Sequence, residues 1–284
     1  MDCSKYQFVR ALRPFSFSVA LIACLSGIAS AYGAGYSNWP LAAMVLLGGV
    51  LLQAGVNLIN DYADLELLAE ISDGEAALAS RAIRSNFAAG LGCFLLATLI
   101  ALYLIAQVGL PLLWISLIGL AGALTYTLNP VNYKQRGLGV LLVFWLMGVL
   151  MVSGSYLVVA GRLDMAVVWQ SLPISLLTSL LLLSNELRDF EADRRDGIGT
   201  LAVRIGYRAA SRLYRLMLLA VYLCAALLWQ QGLISLFWPL LLTLPLLAGP
   251  LKLLSANEFG RKPLTPLTGR LLLLFGLIYC YCLL

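Results

Sequence analysis

SNELRDFEADRRDGIGTLAVRIG, residues 184–206, closes an apolar run, LPISLLTSLLLL, that is long enough with its flanks to cross a bilayer. Where the run ends, the chain places Asn185, Glu186, Asp189, Glu191, Asp193 and Asp196. Asn185, Asp189 and Asp193 follow one another at intervals of four, so on a continuing helix they share one face. Three oxygen-bearing side chains in a row suit a hard divalent cation, and Mg2+ with a phosphate-bearing substrate is its usual occupant. The opening recurs upstream: in NLINDYAD, residues 57–64, Asn57 and Asp61 repeat the spacing of Asn185 and Asp189. Of the 14 acids, 11 fall within 61–75 and 186–196. That concentration favours a metal–diphosphate site over solvated helix ends, because acids at a membrane boundary mark function. Two acidic helix ends are expected to face each other across one cavity.

Composition sets the medium. The chain has 284 residues, 61% hydrophobic and 12% charged, with a mean hydropathy of +0.90. A soluble domain would carry about twice that charge. The chain reads as a single integral-membrane domain over 1–284, with the lipid bilayer as its surroundings and no nucleic acid as partner. Histidine is absent, which argues against haem ligation and triad chemistry. The six cysteines lie mostly inside apolar runs without metal-ligand spacing and read as small core hydrophobes. Lys5, Arg10 and Arg13 precede an apolar run from Pro14 to about Tyr36, too long for a signal-peptide core, so this run is the first span.

Cutting at charges, prolines and glycines predicts nine spans, near 14–35, 40–62, 86–107, 110–128, 138–160, 167–187, 209–230, 232–252 and 266–284. Short loops are expected at 36–39, 108–109 and 231, and longer polar ones at 63–85, 129–137, 188–208 and 253–265. Of the 19 lysines and arginines, all but Arg162 lie in or beside the N-terminal segment and the longer loops. This asymmetry predicts a cytoplasmic N-terminus, acidic windows on the cytoplasmic face and, with an odd number of spans, a C-terminus outside.

A diphosphate bound through a cation also needs basic groups for its outer oxygens. The candidates are Arg81 and Arg84 after the first motif, Lys134 and Arg136 in the 129–137 loop, and Arg194, Arg195 and Arg204 after the second, each of which also reads as a positive-inside anchor. Asn57, Asn60 and Asn185 are neutral amides in or beside apolar spans, where they cost free energy unless hydrogen-bonded. Tyr62, Tyr126, Tyr133 and Tyr156 offer ring faces to a carbocation, or sit as interfacial aromatics.

At these residues the sequence resembles the UbiA-type superfamily of intramembrane aromatic prenyltransferases, and within it the 1,4-dihydroxy-2-naphthoate polyprenyltransferases of menaquinone synthesis. Asn60-Asp61-Tyr62-Ala63-Asp64 is similar to the first family motif. Asn185, Asp189, Asp193, Gly197 and Thr200 to Arg204 are similar to the second. YTLNPVNYKQRGLGVLLVFWLMGVLMVSGSYLV and the C-terminal LTPLTGRLLLLFGL resemble the naphthoate branch. Glu70, Ile198 and Val140 depart from the pattern, which has Asp, Lys and Glu there. The resemblance implies an all-α bundle of nine transmembrane helices, integral to a bacterial inner membrane, with a cavity opening to the cytoplasm. It implies Mg2+ held by Asp61, Asp64, Asp189 and Asp193. It further implies transfer of a polyprenyl group from a polyprenyl diphosphate to an aromatic acid, most simply dihydroxynaphthoate with loss of CO2. Other acceptors, such as 4-hydroxybenzoate, stay open.

The competing reading from another class is a secondary transporter of an anionic or lipid substrate. Against it, the acids stand at helix ends rather than mid-span, and no matching mid-span Gly/Pro breaks occur. Phosphotransfer to a lipid alcohol lacks its Asp-Gly-x-x-Ala-Arg signature. The basic asymmetry makes a testable prediction: a reporter active only in the cytoplasm should work when fused within 188–208 and stay silent at Leu284. Equal signals at both positions would refute the odd-span topology.

Overall fold

The computed structural model describes residues 6–65, 74–127 and 132–284, and among them there are helices and no strand. In chain order the long helices are α1 (Phe17–Gly33), α2 (Trp39–Asn60), α3 (Gly74–Val108), α4 (Leu110–Thr127), α5 (Gly139–Ala160), α6 (Met165–Arg188), α7 (Tyr207–Gln230), α8 (Trp238–Leu253) and α9 (Leu264–Leu283). Seven segments are long and apolar enough to cross a membrane, α1 together with the preceding turn from Phe8 being the first. The remaining two expected spans appear as shorter apolar helices, Leu110–Ala123 within α4 and Trp238–Leu253. Length and composition therefore support seven crossings among the described residues, two fewer than expected.

α1 is buried on nearly every side, through Val19, Ile22, Ala23, Cys24 and Ala31. Lipid is as apolar as a leucine, so burial alone does not hold such a helix; close approach through small residues does. A Cβ on Gly27 would overlap the Val152 carbonyl of α5, and one on Gly276 of α9 would overlap the Ile22 side chain. A Cβ on Gly49 of α2 would stand 2.7 Å from the Cys24 Sγ. α3 lies at the periphery and turns Leu91, Leu95, Leu99 and Leu102 outward. It begins at Gly74, well inside the loop expected at 63–85, because EAALASRA is rich in helix formers and isolated charges do not end a helix.

Most hydroxyls carried on α5 and α6 are met within the bundle. On α6 the Ser175 and Thr178 hydroxyls donate to the carbonyls of Ser171 and Ile174, at 2.9 and 2.8 Å. Ser179 donates across to the Val140 carbonyl of α5 at 3.0 Å. α5 contains a π-helical stretch, Phe144–Leu150, where Gly148 lies against Ser175.

The candidate site lies where α2 and α6 end. α2 runs into a 3₁₀ turn, Asp61–Asp64. α6 stops at Arg188, bends at Asp189 and resumes as the short helix Phe190–Arg195. Gly27→Leu should lower the thermal midpoint of the detergent-solubilised protein, with an overpacking cost of about 1–3 kcal/mol. Gly92→Leu, whose Cβ would meet nothing within 4 Å, should leave it unchanged. An equal response of the two would break the close-approach argument.

Candidate active site

The first motif is built on the last turn of α2. Asn57 and Asp61, one turn apart and both buried, reach the same short N-terminal segment. Asn57 Nδ2 donates to the Leu12 carbonyl and to Ser16 Oγ, both at 2.7 Å, and its Oδ1 accepts from Gln53 at 3.2 Å. Asp61 Oδ1 accepts from Arg13 Nη2 at 2.6 Å. Arg13 sits in the left-handed region at φ +49°, an uncommon conformation for a residue with a side chain. Asn57 thus fastens the N-terminal segment, and Asp61 faces a guanidinium. Asn60 is exposed, and Tyr62 is exposed with its ring against Phe87, centroids 4.2 Å apart. The side chain of Asp64 and residues 66–73, Glu70 among them, lie outside the described residues, as does the side chain of Tyr126.

The second motif keeps its register through the break in α6. Asp189 N donates to the Asn185 carbonyl and Asp193 N to that of Asp189, each at 2.9 Å, so the four-residue ladder survives on the backbone. The side chains diverge. Arg188 holds Asp189 with two hydrogen bonds, at 2.7 and 2.5 Å. Thr200 Oγ1 donates to Asp193 Oδ2 at 3.4 Å. Glu186 is buried and accepts from the Ala202 amide at 3.0 Å. Burial first, and then the negative charge of Asp189, push the Asp193 carboxyl above its ordinary value, with Lys134 and the Thr200 hydroxyl partly offsetting them. Asp189, Asp193 and Lys134 therefore share one electrostatic neighbourhood.

Two loops meet over this motif. Arg204 donates to the Gly199 carbonyl at 2.9 Å and to the Gln135 carbonyl at 2.6 Å, so it ties the 132–138 turn to the 197–200 loop. At Gly137, with φ +73°, an added Cβ would lie 2.5 Å from Arg204 Cδ; only glycine allows that approach. Arg136 and Arg81 are exposed. Tyr156 packs elsewhere: it faces Tyr36, over whose ring Arg162 lies. That is near the start of α6, about 30 Å along the helix from Asn185, so Tyr156 does not line this site. Glu191 pairs with the buried Arg261, whose guanidinium also covers the Tyr207 ring at 4.4 Å. Burial raises the Glu191 carboxyl, but the Arg261 hydrogen bond and the nearby positive charge outweigh it and leave a value below the ordinary one.

Among the described residues no three Asp, Glu, His or Cys side chains converge closely enough to hold a metal. The donor set at the second motif nevertheless fits a hard cation. Asn185 Oδ1 is buried without a hydrogen-bond partner among the described residues, on the same ladder as two carboxylates. Sequence reasoning missed Arg13, Arg188 and Glu186. Arg13 read as a membrane anchor because its partner is 48 positions away, and Glu186 falls off the ladder.

The described helices thus form an apolar bundle with oxygen-bearing and cationic side chains gathered at two helix ends. The UbiA prenyltransferase family model matches residues 20–263, and the chain belongs to that family. UbiA prenyltransferase domain-containing protein 1 of Xenopus tropicalis is 33% identical over 286 residues, covering 98% of this chain and 81% of that protein. Its counterpart in Homo sapiens is 32% identical over 291 residues, covering 98% and 83%. An apo structure of a UbiA homolog from Aeropyrum pernix K1 aligns at a TM-score of 0.66 with 20% identity, over 94% of this chain and 98% of that one. A UbiA homolog from Archaeoglobus fulgidus bound to GPP and Mg2+ aligns at 0.61 with 15% identity, over 96% and 99%. These likenesses establish the fold. The curated relatives named are animal proteins and lend no support to the bacterial membrane expected above.

The ladder predicts unequal roles for neighbouring acids. Asp189→Ala should cut turnover by about a hundredfold or more, whereas Asp196→Ala, exposed and off the ladder, should stay near wild type. Initial rates of inserted protein, normalised to folded amount, check this; equal losses would refute it.

Proposed function

We propose that the chain transfers a polyprenyl group from an allylic polyprenyl diphosphate to an aromatic acceptor. The observation that carries this reading is the Asn185–Asp189–Asp193 ladder, with an unpartnered buried amide oxygen at its start, in a chain of the UbiA family. Mg2+ would be held by Asp61, Asp64, Asp189 and Asp193, with Asn185 as a neutral oxygen donor. When bound, it supplies neutralisation of the diphosphate's negative charge.

The chain's own residues account for the rest. Arg13, Arg188 and Lys134 stand beside these carboxylates and are placed to turn to phosphate oxygens as the carboxylates turn to the metal, with Arg81, Arg136 and Arg204 at the rim. The allylic C–O bond breaks with its electron pair leaving on the diphosphate. The apolar walls keep water from the allylic cation, and the exposed Tyr62 ring offers it a π face. An electron-rich ring carbon of the acceptor then forms the new C–C bond. With 1,4-dihydroxy-2-naphthoate, the acceptor favoured by the 126–139 and C-terminal resemblance, the carboxylate leaves as CO2 and returns the electron pair to the ring. No protein base is then required, which suits a chain without histidine.

In this reading α4 and α8 cross with the seven longer segments, which gives nine spans, a cytoplasmic N-terminus and site, and an external C-terminus. The test uses purified protein, Mg2+, geranylgeranyl diphosphate and dihydroxynaphthoate labelled at its carboxyl. Labelled CO2 should appear in step with prenylated lipid. A prenylated product that keeps the label would refute this acceptor and favour the hydroxybenzoate type; no product from any phenolic acid would refute the reading as a whole.

A further inference from the structure

α7 starts at Tyr207, just after Gly206 at φ +83°, and its first amides have no helical carbonyl to receive them. Two adjoining cavities, about 240 and about 490 Å3, meet around that start and share Tyr207, Arg208 and Arg212. Neither is lined by Asn185, Asp189, Asp193 or Lys134; the larger one adjoins Phe190 and Arg194 of the short helix that carries Asp193, so the cleft lies beside the candidate active site and not on its ladder. Its wall is fixed: the Tyr207 hydroxyl donates to the Leu254 carbonyl at 2.7 Å, and the ring lies between Arg261, at 4.4 Å, and the edge of Phe190, at 5.5 Å.

Ser211 lines the smaller cavity. It is 4% exposed, and its Oγ is buried with no hydrogen-bond partner among the described residues. A helical hydroxyl ordinarily turns back to the carbonyl one turn earlier, and Ser155, Ser175, Thr178 and Thr268 all do so here. Ser211 has the same option at Tyr207 and does not take it. Around it Arg208, Arg212 and Arg215 are exposed, and no carboxylate among the described residues pairs with them. Three guanidinium groups, free helix amides and an orphaned hydroxyl together form an anion site.

The same helical stripe names the anion's carrier. Continuing at three- or four-residue steps, Arg208, Arg212 and Arg215 lead to Leu219, Leu223 and Leu227, which are 56, 54 and 56% exposed on a helix apolar enough to span a membrane. A ligand matching the whole stripe has a phosphate at one end and hydrocarbon at the other. We infer that this cleft binds the phosphate headgroup of an anionic membrane phospholipid, with Arg208, Arg212, Arg215 and Ser211 on the phosphate oxygens and an acyl chain along Leu219 and Leu223.

The full chain in phosphatidylcholine nanodiscs, titrated with phosphatidylglycerol and read by native mass spectrometry and thermal midpoint, tests this independently of prenyl transfer. Phosphatidylglycerol should raise the midpoint and be retained as a bound lipid. Arg212→Gln and Arg215→Gln should each weaken retention by about tenfold, and Ser211→Ala, which leaves every charge in place, by about threefold. Arg84→Gln, an exposed arginine on α3, should leave retention unchanged. An equal loss in Arg84→Gln would reduce the effect to general surface charge, and an unaltered Ser211→Ala would remove the built site; either overturns the inference. Inorganic phosphate producing the same midpoint shift would mark the cleft as a free-anion site and overturn its assignment to lipid.

Discussion

Lipid offers a polar side chain no hydrogen bond, so each polar group carried on these helices must be met by another part of the chain. That constraint shapes the bundle more than apolar contact does, since apolar contact is as readily made with lipid. Ser175 and Thr178 satisfy themselves within α6, and Ser179 spends its hydrogen on α5. Asn57 spends both donors on Leu12 and Ser16 and so fixes where the N-terminal segment lies. Arg261, almost wholly buried, is tolerable because Glu191 and the Tyr207 ring receive its charge. The weight of that pair lies in keeping the guanidinium solvated by protein, because the carboxylate is more than a third exposed and water screens it.

The same accounting explains the charge pattern at the helix ends. Asp61 faces Arg13, Asp189 faces Arg188, and Asp193 feels Lys134. Among the described residues, Asp61 and Asp189 are each paired with a guanidinium, and Lys134 offsets part of the charge around Asp193. Their arrangement depends on loops brought close by glycine: Gly137 and Gly199 let the 132–138 turn and the 197–200 loop touch through Arg204. A side chain at either position would part them and carry Lys134 away from Asp193.

How far this was legible in the sequence follows from the range of each interaction. Apolar runs announced the helices, and the four-residue interval announced the ladder, because both are local and periodic. The interruption at Asp189 was not visible, since EADRR is as good a helix as the run before it and the backbone bonds continue across the bend. The polar stretch read as a loop over 63–85 proved helical from Gly74, where charge was mistaken for irregularity. The partners of Asn57 and Asp61 lie 45 and 48 positions away, beyond any local pattern. So Asn57 read as a ligand and Arg13 as an anchor, when both build the joint between the N-terminal segment and α2. Tyr156 was grouped with the site by residue type alone, and only the chain's path puts it at the opposite end of α6.

Orphaned atoms are informative only where charge gives them a sign. Five buried side-chain atoms lack a partner among the described residues: Tyr32 Oη, Ser153 Oγ, Asn185 Oδ1, Ser211 Oγ and Arg261 Nε. The Arg261 nitrogen belongs to a group already paired through its Nη2, and Tyr32 has its ring packed on Trp39. Ser153 lies in the apolar interior of α5. The other two stand apart by standing among charged groups, Asn185 on the ladder of Asp189 and Asp193 and Ser211 among three arginines. Asn185 Oδ1 is an unmet lone pair on the backbone ladder that also carries Asp189 and Asp193, an oxygen of the kind a hard cation takes. Ser211 Oγ is a hydroxyl beside three arginines at a helix start, an arrangement that calls for an anion. Each unmet atom thus takes its meaning from the field around it: in the readings proposed above, one helix end takes a positive ligand and another a negative one.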